Sequence, residues 1–219
     1  MNYWPLILGL LPSFAWLIFY LEEDPHPEPR EAIFHIFLAG ALSTFLVLGL
    51  QILFNDWADG IGIFKFSFLS FVALAAIEEF FKFGAARVAL IKHRTDFDEP
   101  VDAMIYPIIA ALGFAAVENV AAAFKSGPIL FETTTLRFIG ATLVHTLSSG
   151  VFGYYWAQSI IHHKRSLLLV GFMAATLLHT VFNFLIMRYE PQLIPTVFLV
   201  FAALFILYDF EKLKHIKTT

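Results

Sequence analysis

The 219-residue chain contains no cysteine. Disulfides, thiolate metal sites and cysteine nucleophiles are therefore excluded. Charge is also scarce. Asp, Glu, Lys and Arg make up 15% of the residues, against about 25% in ordinary soluble domains. No run of Lys or Arg is present, the net charge is −4 and the pI is about 6.0, so a nucleic-acid partner is not expected. No HExxH motif occurs, which leaves out the usual zincin and site-2 protease arrangement. The opening MNYWPLILGLLPS lacks the positive n-region of a cleavable signal peptide. Its apolar segment is expected to stay as a membrane helix.

Apolar residues are abundant: 59% of the chain, with 17% aromatic and a mean hydropathy of +0.75. Apolar stretches of about twenty residues recur along the whole length, the pattern of a polytopic membrane protein. They are too long and continuous for barrel strands, so the expected fold is all-α. The pattern predicts about seven membrane helices, over 3–21, 32–54, 64–91, 101–124, 135–161, 166–188 and 191–210, with 64–91 the longest. Residues 22–31 and 92–100 read as polar loops and 162–165 as a basic turn. No repeat or second domain is visible, and residues 1–219 read as one membrane domain. Arg30, Arg87, Lys92, Arg94, Lys164, Arg165, Lys212, Lys214 and Lys217 gather on one side. Lys65, Lys125, Arg137 and Arg188 gather on the other. This bias predicts an outside N-terminus and a cytoplasmic C-terminus.

A charged side chain in a membrane helix costs about 2.5–3.5 kcal/mol on insertion scales. This sequence places several there. Glu78, Glu79 and Lys82 lie in the third apolar segment, and Glu118 and Asn119 in the fourth. His145, Ser148 and Ser149 lie in the fifth, and His179 and Asn183 in the sixth. Glu78 and Lys82 are i,i+4 neighbours, Glu79 and Lys82 are i,i+3, and His179 and Asn183 are i,i+4. The carboxylates and histidines fall at overlapping depth and can converge on one cavity inside the bundle. Taken singly, each has a plainer reading. A Glu–Lys pair can fix helix packing, a lone His such as His35 can bridge helices, and Ser148 and Ser149 read as small packing residues. Gly84, Gly113 and Gly153 read as close-packing positions.

These residues resemble the PrsW-type glutamic intramembrane proteases. Glu78-Glu79-Phe-Phe-Lys82 matches that family's EExxK motif, and Phe114-Ala-Ala-Val-Glu118, followed by Asn119, matches its FxxxE motif. Phe97-Asp98-Glu99-Pro100-Val-Asp102 is similar to its FDEPxDG turn, with Ala103 where Gly is common. His145 stands where a family histidine is expected, and His179-Thr-Val-Phe-Asn183 matches HxxxN. The resemblance covers residues 70–187. It implies an intramembrane endopeptidase of the bacterial plasma membrane, related to the CAAX prenyl proteases and bacteriocin-processing membrane proteases. It also implies regulated proteolysis of single-span membrane proteins such as anti-sigma factors.

For peptide hydrolysis the residues offer two carboxylates that can share a water, since close like charges do not both ionise readily. Glu78 and Glu118 are expected to bind that water. Spacing leaves open whether Glu78 or Glu79 is the base, and the family pattern favours Glu78. By analogy with the prenyl proteases, His179 and Asn183 are expected to stabilise the oxyanion. His145 would orient the water or protonate the amine, and Lys82 would hold Glu78 or Glu79 charged. No cofactor is required by this scheme. The alternative is a zinc site built from Glu78, Glu118, His145 and His179. Two other readings are a non-catalytic membrane scaffold and a proton or cation transporter.

Overall fold

The structure, a computed structural model, describes residues 3–189 and 192–216. Residue 191, the expected start of the last helix, and Lys217 lie outside the described residues. Within them the chain forms eight α-helices and no strand. They are α1 (Trp4–Glu22), α2 (Arg30–Gly60), α3 (Phe68–Ala89), α4 (Asp102–Ser126), α5 (Leu130–Ile139), α6 (Ala141–Ile161), α7 (Ser166–Arg188) and α8 (Leu193–Lys214). Five helical stretches are long and apolar enough to cross a membrane: α1, α2, the run 102–161 containing α4 to α6, α7 and α8. Alpha-helices exposing Leu, Ile and Phe over much of their length are what a bilayer requires of spanning segments.

Two expected boundaries move. The longest helix is α2, at 31 residues, not the third apolar segment. It runs past residue 54 to Gly60 and ends in a turn where Gly62 has φ +78°, a conformation glycine adopts without a Cβ clash. Helix α3 then starts at Phe68, where the Ser67 hydroxyl accepts the Ser70 N–H at 3.2 Å, an N-cap. The expected helix 135–161 is broken at Gly140 into α5 and α6. A Cβ at Gly140 would stand 2.9 Å from the Leu136 carbonyl oxygen. The indole N–H of Trp16 on α1 donates to the Phe138 carbonyl at 3.0 Å and ties down the end of α5.

Helix α4 is the hub. Every residue from Asp102 to Ala116 is buried, so this stretch is enclosed on all sides rather than amphipathic. Glycines bring its neighbours close. A Cβ at Gly113 would lie 1.9 Å from the Phe37 carbonyl oxygen, one at Gly40 1.9 Å from that of Ala110, and one at Gly153 2.3 Å from that of Ala103. Gly84, expected to be a packing glycine, faces open space instead.

Candidate active site

Helices α3, α4, α6 and α7 each deliver one or more ionisable side chains to a common point. On α3, Glu78 and Glu79 are 8% and 1% exposed and Lys82 is 0% exposed. His145 on α6 and His179 on α7 are also buried, while Glu118 on α4 is half-buried. The two histidine rings meet edge to face with centroids 5.0 Å apart. Phe114, one turn before Glu118, packs its ring 5.4 Å from His145 and 5.8 Å from the Lys82 ammonium.

The adjacent glutamates have different surroundings. Oε1 of Glu79 accepts hydrogen bonds from Nζ of Lys82 at 2.5 Å, the Ser148 hydroxyl at 2.9 Å and Nδ1 of His179 at 2.7 Å. Oε1 of Glu78 accepts one from Nε2 of Gln51 on α2 at 2.7 Å. Its Oε2 is buried without a hydrogen-bond partner. It lies 3.6 Å from Nε2 of His179 and 3.8 Å from Nδ1 of His145.

Hydrogen-bond logic assigns the ring protons. Carboxylate oxygens only accept, so Nδ1 of His179 carries the proton given to Glu79, and in a neutral ring Nε2 presents a lone pair. An ammonium only donates, so Nδ1 of His145 accepts from Lys82 at 3.1 Å, and Nε2 donates to Glu118 at 3.0 Å. Glu78 Oε2 and, in a neutral ring, His179 Nε2 therefore face each other as acceptors, beside a His145 Nδ1 already filled by Lys82. Such a set needs a proton donor or a cation between its members.

The set also suits a metal. One ligand atom from each of Glu78, His145 and His179 fits within 4.8 Å of the others. Two nitrogens and one carboxylate oxygen are a zinc-type donor set. Each histidine also gives its far nitrogen to a carboxylate, Glu79 for His179 and Glu118 for His145, as metal-bound histidines do. Glu118, included in the expected zinc set, stands behind His145 and outside this triad. Lys82 opposes the fit, because its contact with His145 would have to be given up.

Two residues of the cluster were not singled out from the sequence. Gln51 holds Glu78. Arg137 on α5 donates through Nε to Oδ1 of Asn119 at 2.5 Å and through NH2 to Oε2 of Glu118 at 3.2 Å. Asn119 also donates to the Thr142 hydroxyl at 2.9 Å, so it orients Arg137 and joins α4 to α6. Asn183 is half-buried and makes no hydrogen bond to the cluster. A cavity of about 380 Å³, lined in part by Gln51, Phe114, Glu118, Lys125 and Arg137, lies beside the cluster between α2, α4 and α5.

Residues 28–208 match the sequence profile of the PrsW family, described as intramembrane metalloproteases. The chain belongs to the PrsW family. It is 28% identical over 210 residues to Protease PrsW of Oceanobacillus iheyensis, covering 94% of each chain. It is 30% identical over 185 residues to Protease PrsW of Geobacillus kaustophilus, covering 83% of this chain and 79% of that one. Protease PrsW of Bacillus subtilis is 25% identical over 182 residues, covering 81% of this chain and 80% of that one. No solved structure matches the chain. The protein is thus an integral membrane peptidase, and PrsW membership gives the buried cluster its chemical context. Among the described residues, the motif positions that marked the resemblance include Glu78, Glu79, Lys82, Glu118 and His145, which face one another across three helices.

Proposed function

We propose that this PrsW protein hydrolyses peptide bonds of single-span membrane substrates with Glu78 as general base. The observation that carries the assignment is the unpartnered, buried Oε2 of Glu78 beside Nε2 of His179 and Nδ1 of His145. Oε2 of Glu79 is likewise buried without a partner, but Glu79 is the poorer base because Lys82, Ser148 and His179 all donate to its Oε1 and stabilise its charge. A water held at Glu78 and His179 loses a proton to Glu78 as its oxygen bonds to the scissile carbonyl carbon. The proton then passes to the amide nitrogen as the C–N bond breaks. Glu118 accepts from His145 and Arg137 and holds that histidine in register. The cavity between α2, α4 and α5 gives the substrate backbone a lateral approach from the bilayer.

The metal that the family description implies has a home in the same residues. Glu78, His145 and His179 would hold it, and it would supply Lewis-acid polarisation and an acidified water. A protein holding it uses Glu78 as ligand rather than base. The membrane arrangement that fits this chemistry has α1, α2, α3, α4, α6, α7 and α8 crossing separately. Helix α5, about 15 Å long, is too short to cross a core of about 30 Å. The Lys214–Glu23 ion pair at 2.7 Å joins the ends of α8 and α1, which supports their emerging on the same side. Lys and Arg bias favours the cytoplasm for that side and a bacterial plasma membrane fits the relatives. The whole chain then works as one membrane domain, and an anti-sigma factor is the substrate class the family resemblance implies.

The test is cleavage of a single-span anti-sigma substrate by purified protein reconstituted in lipid, with products read by mass spectrometry. Wild type is expected to cut and Glu78→Gln to lose at least about 10³-fold. Full activity in Glu78→Gln removes the proposal. Activity that survives chelation and purification free of stoichiometric metal supports the metal-independent form. Loss on chelation with recovery on adding zinc supports the metal form.

A further inference from the structure

A second cluster of ionisable groups sits where the α1–α2 and α3–α4 connections meet the start of α4. Asp24, Glu28 and Asp102 are 6%, 8% and 2% exposed, and Glu99 is half-buried. One carboxylate oxygen from each of Asp24, Glu99 and Asp102 lies within 4.8 Å of the other two. Glu99 and Asp102 share the turn that leads into α4, and Asp24 comes from the distant α1–α2 connection, so the tertiary fold brings the third carboxylate to the other two.

Partners account for only part of this charge. Oδ2 of Asp102 accepts the backbone N–H groups of Asp98 and Glu99 at 2.9 and 2.7 Å. Oδ1 of Asp24 accepts the His26 N–H at 2.9 Å. The Tyr106 hydroxyl donates to Glu28. Among the described residues, the one side chain of basic type in contact is the His26 imidazole on Glu99, and it is 75% exposed. Lys214, across the adjoining cavity, is engaged by Glu23 and Glu211. Oδ2 of Asp24 is buried with no partner at all. Among the described residues no Lys or Arg pairs with Asp24, Glu28, Glu99 or Asp102.

We propose that Asp24, Glu99 and Asp102 form a binding site for a hard divalent cation of the Ca²⁺ or Mg²⁺ class. All three donors are carboxylate oxygens, the ligands such cations prefer, and water completes their coordination. The orphaned Asp24 oxygen gains a partner, and the uncompensated charge is neutralised. A cavity of about 190 Å³ lined by Pro25, His26, Glu99 and Lys214 gives the ion a route from solvent. The bound cation clasps the α1–α2 connection to the turn that leads into α4. It lies sixteen residues from Glu118 along α4, about 24 Å by helical rise, so it is separate from the nitrogen-containing triad around Glu78. Soft and borderline metals prefer the triad, and hard cations prefer this site.

The test is calorimetric titration of the chelator-stripped full-length protein in detergent with CaCl₂ and with MgCl₂. Wild type and Glu78→Gln are expected to bind one equivalent of Ca²⁺ per chain. Asp24→Asn and Glu99→Gln are expected to bind at least about tenfold more weakly, since each removes one ligand charge. Glu99 is half-buried on a connection, so its variant keeps the test free of a folding defect. Absence of binding by wild type up to about 10 mM of either cation, tenfold above the weakest protein calcium sites, overturns the proposal. So does equal binding by Glu99→Gln and wild type.

Discussion

Nδ1 of His179 lies 2.7 Å from Oε1 of Glu79, joining α7 to α3 inside the bundle with both side chains almost wholly buried. This contact decides which nitrogen of His179 faces Glu78. A neutral ring donating through Nδ1 leaves Nε2 as an acceptor toward Glu78 Oε2. In the proposed mechanism Glu79 therefore acts through His179 rather than on substrate. Glu79→Gln can present its amide NH₂ to Nδ1 and reverse the tautomer. The expected result is a fall in cleavage of about 10²–10⁴-fold, checked with the reconstituted assay and with the ring tautomer read by ¹⁵N NMR of labelled histidine.

Lys82 tests the same network from the other side. Its ammonium is fully buried and pairs with Glu79 at 2.5 Å. Removing one partner of a buried pair leaves an uncompensated charge, at a cost of about 3–5 kcal/mol. Lys82→Met is therefore expected to destabilise strongly. The double variant Lys82→Met/Glu79→Gln is expected to regain much of that loss while staying inactive. Thermal unfolding in detergent with a parallel cleavage assay checks both halves.

Gln51 is expected to be a positioning residue. Its amide donates to Glu78 Oε1 at 2.7 Å from α2, a helix with no other polar group in the cluster. Gln51→Leu removes that hydrogen bond and leaves Oε1 free to rotate. Loss of a partner that orients a reacting group costs about 10–100-fold. The fall is expected in kcat with KM little changed, and a steady-state titration of substrate separates the two. A change confined to KM places Gln51 in substrate binding instead.

Why Gln51 and Arg137 escaped the sequence while the other residues did not has a physical explanation. Glu78, Glu79 and Lys82, and likewise His145 and His179, are ionisable groups deep in apolar helices. Their cost in lipid makes them conspicuous, and the 3.6-residue period fixes which of them share a face. Gln51 is uncharged and lay close to an expected helix end at 54. The true stop is marked by Gly60 and Gly62, which puts Gln51 nine residues inside α2. Arg137 resembles an ordinary positive residue beyond the membrane. Its contact with Glu118 depends on the break at Gly140, which turns α5 away from the line of α6. A glycine within RFIGAT was the available signal, and hydropathy averaging passed over it. The burial of α4 on all sides was legible only as an absence of polar residues between Asp102 and Glu118.

Arg137 is expected to hold α5 against the site. Its guanidinium bridges Asn119 and Glu118, two neighbours on α4, through different nitrogens. A lysine supplies one point charge and not this fork. Arg137→Lys is expected to lose most of the activity that Arg137→Ala loses. Hydrogen bonds to charged groups contribute about 1.5–3 kcal/mol each, so exchange of amides in 130–139 is expected to quicken in both variants. Hydrogen–deuterium exchange by mass spectrometry checks this, and unchanged exchange removes the bridging role.

The glycines separate two uses of a missing side chain. At Gly113 and Gly40 an added Cβ would lie 1.9 Å from a carbonyl oxygen of the facing helix. Backbone atoms cannot swing aside, so Gly113→Ala and Gly40→Ala must push α2 from α4. Helix α2 carries Gln51 and helix α4 carries Glu118, so the displacement reaches the site as well as the packing. Both variants are expected to fold poorly and to lose activity even where they fold. At Gly84 the added Cβ meets nothing within 4 Å. There only the helix-interior preference for alanine acts, about 0.5–1 kcal/mol. Gly84→Ala is therefore expected to raise the unfolding midpoint slightly and leave cleavage unchanged. If Gly84→Ala destabilises as much as Gly113→Ala, the face of α3 around Gly84 is packed against a partner helix rather than against lipid.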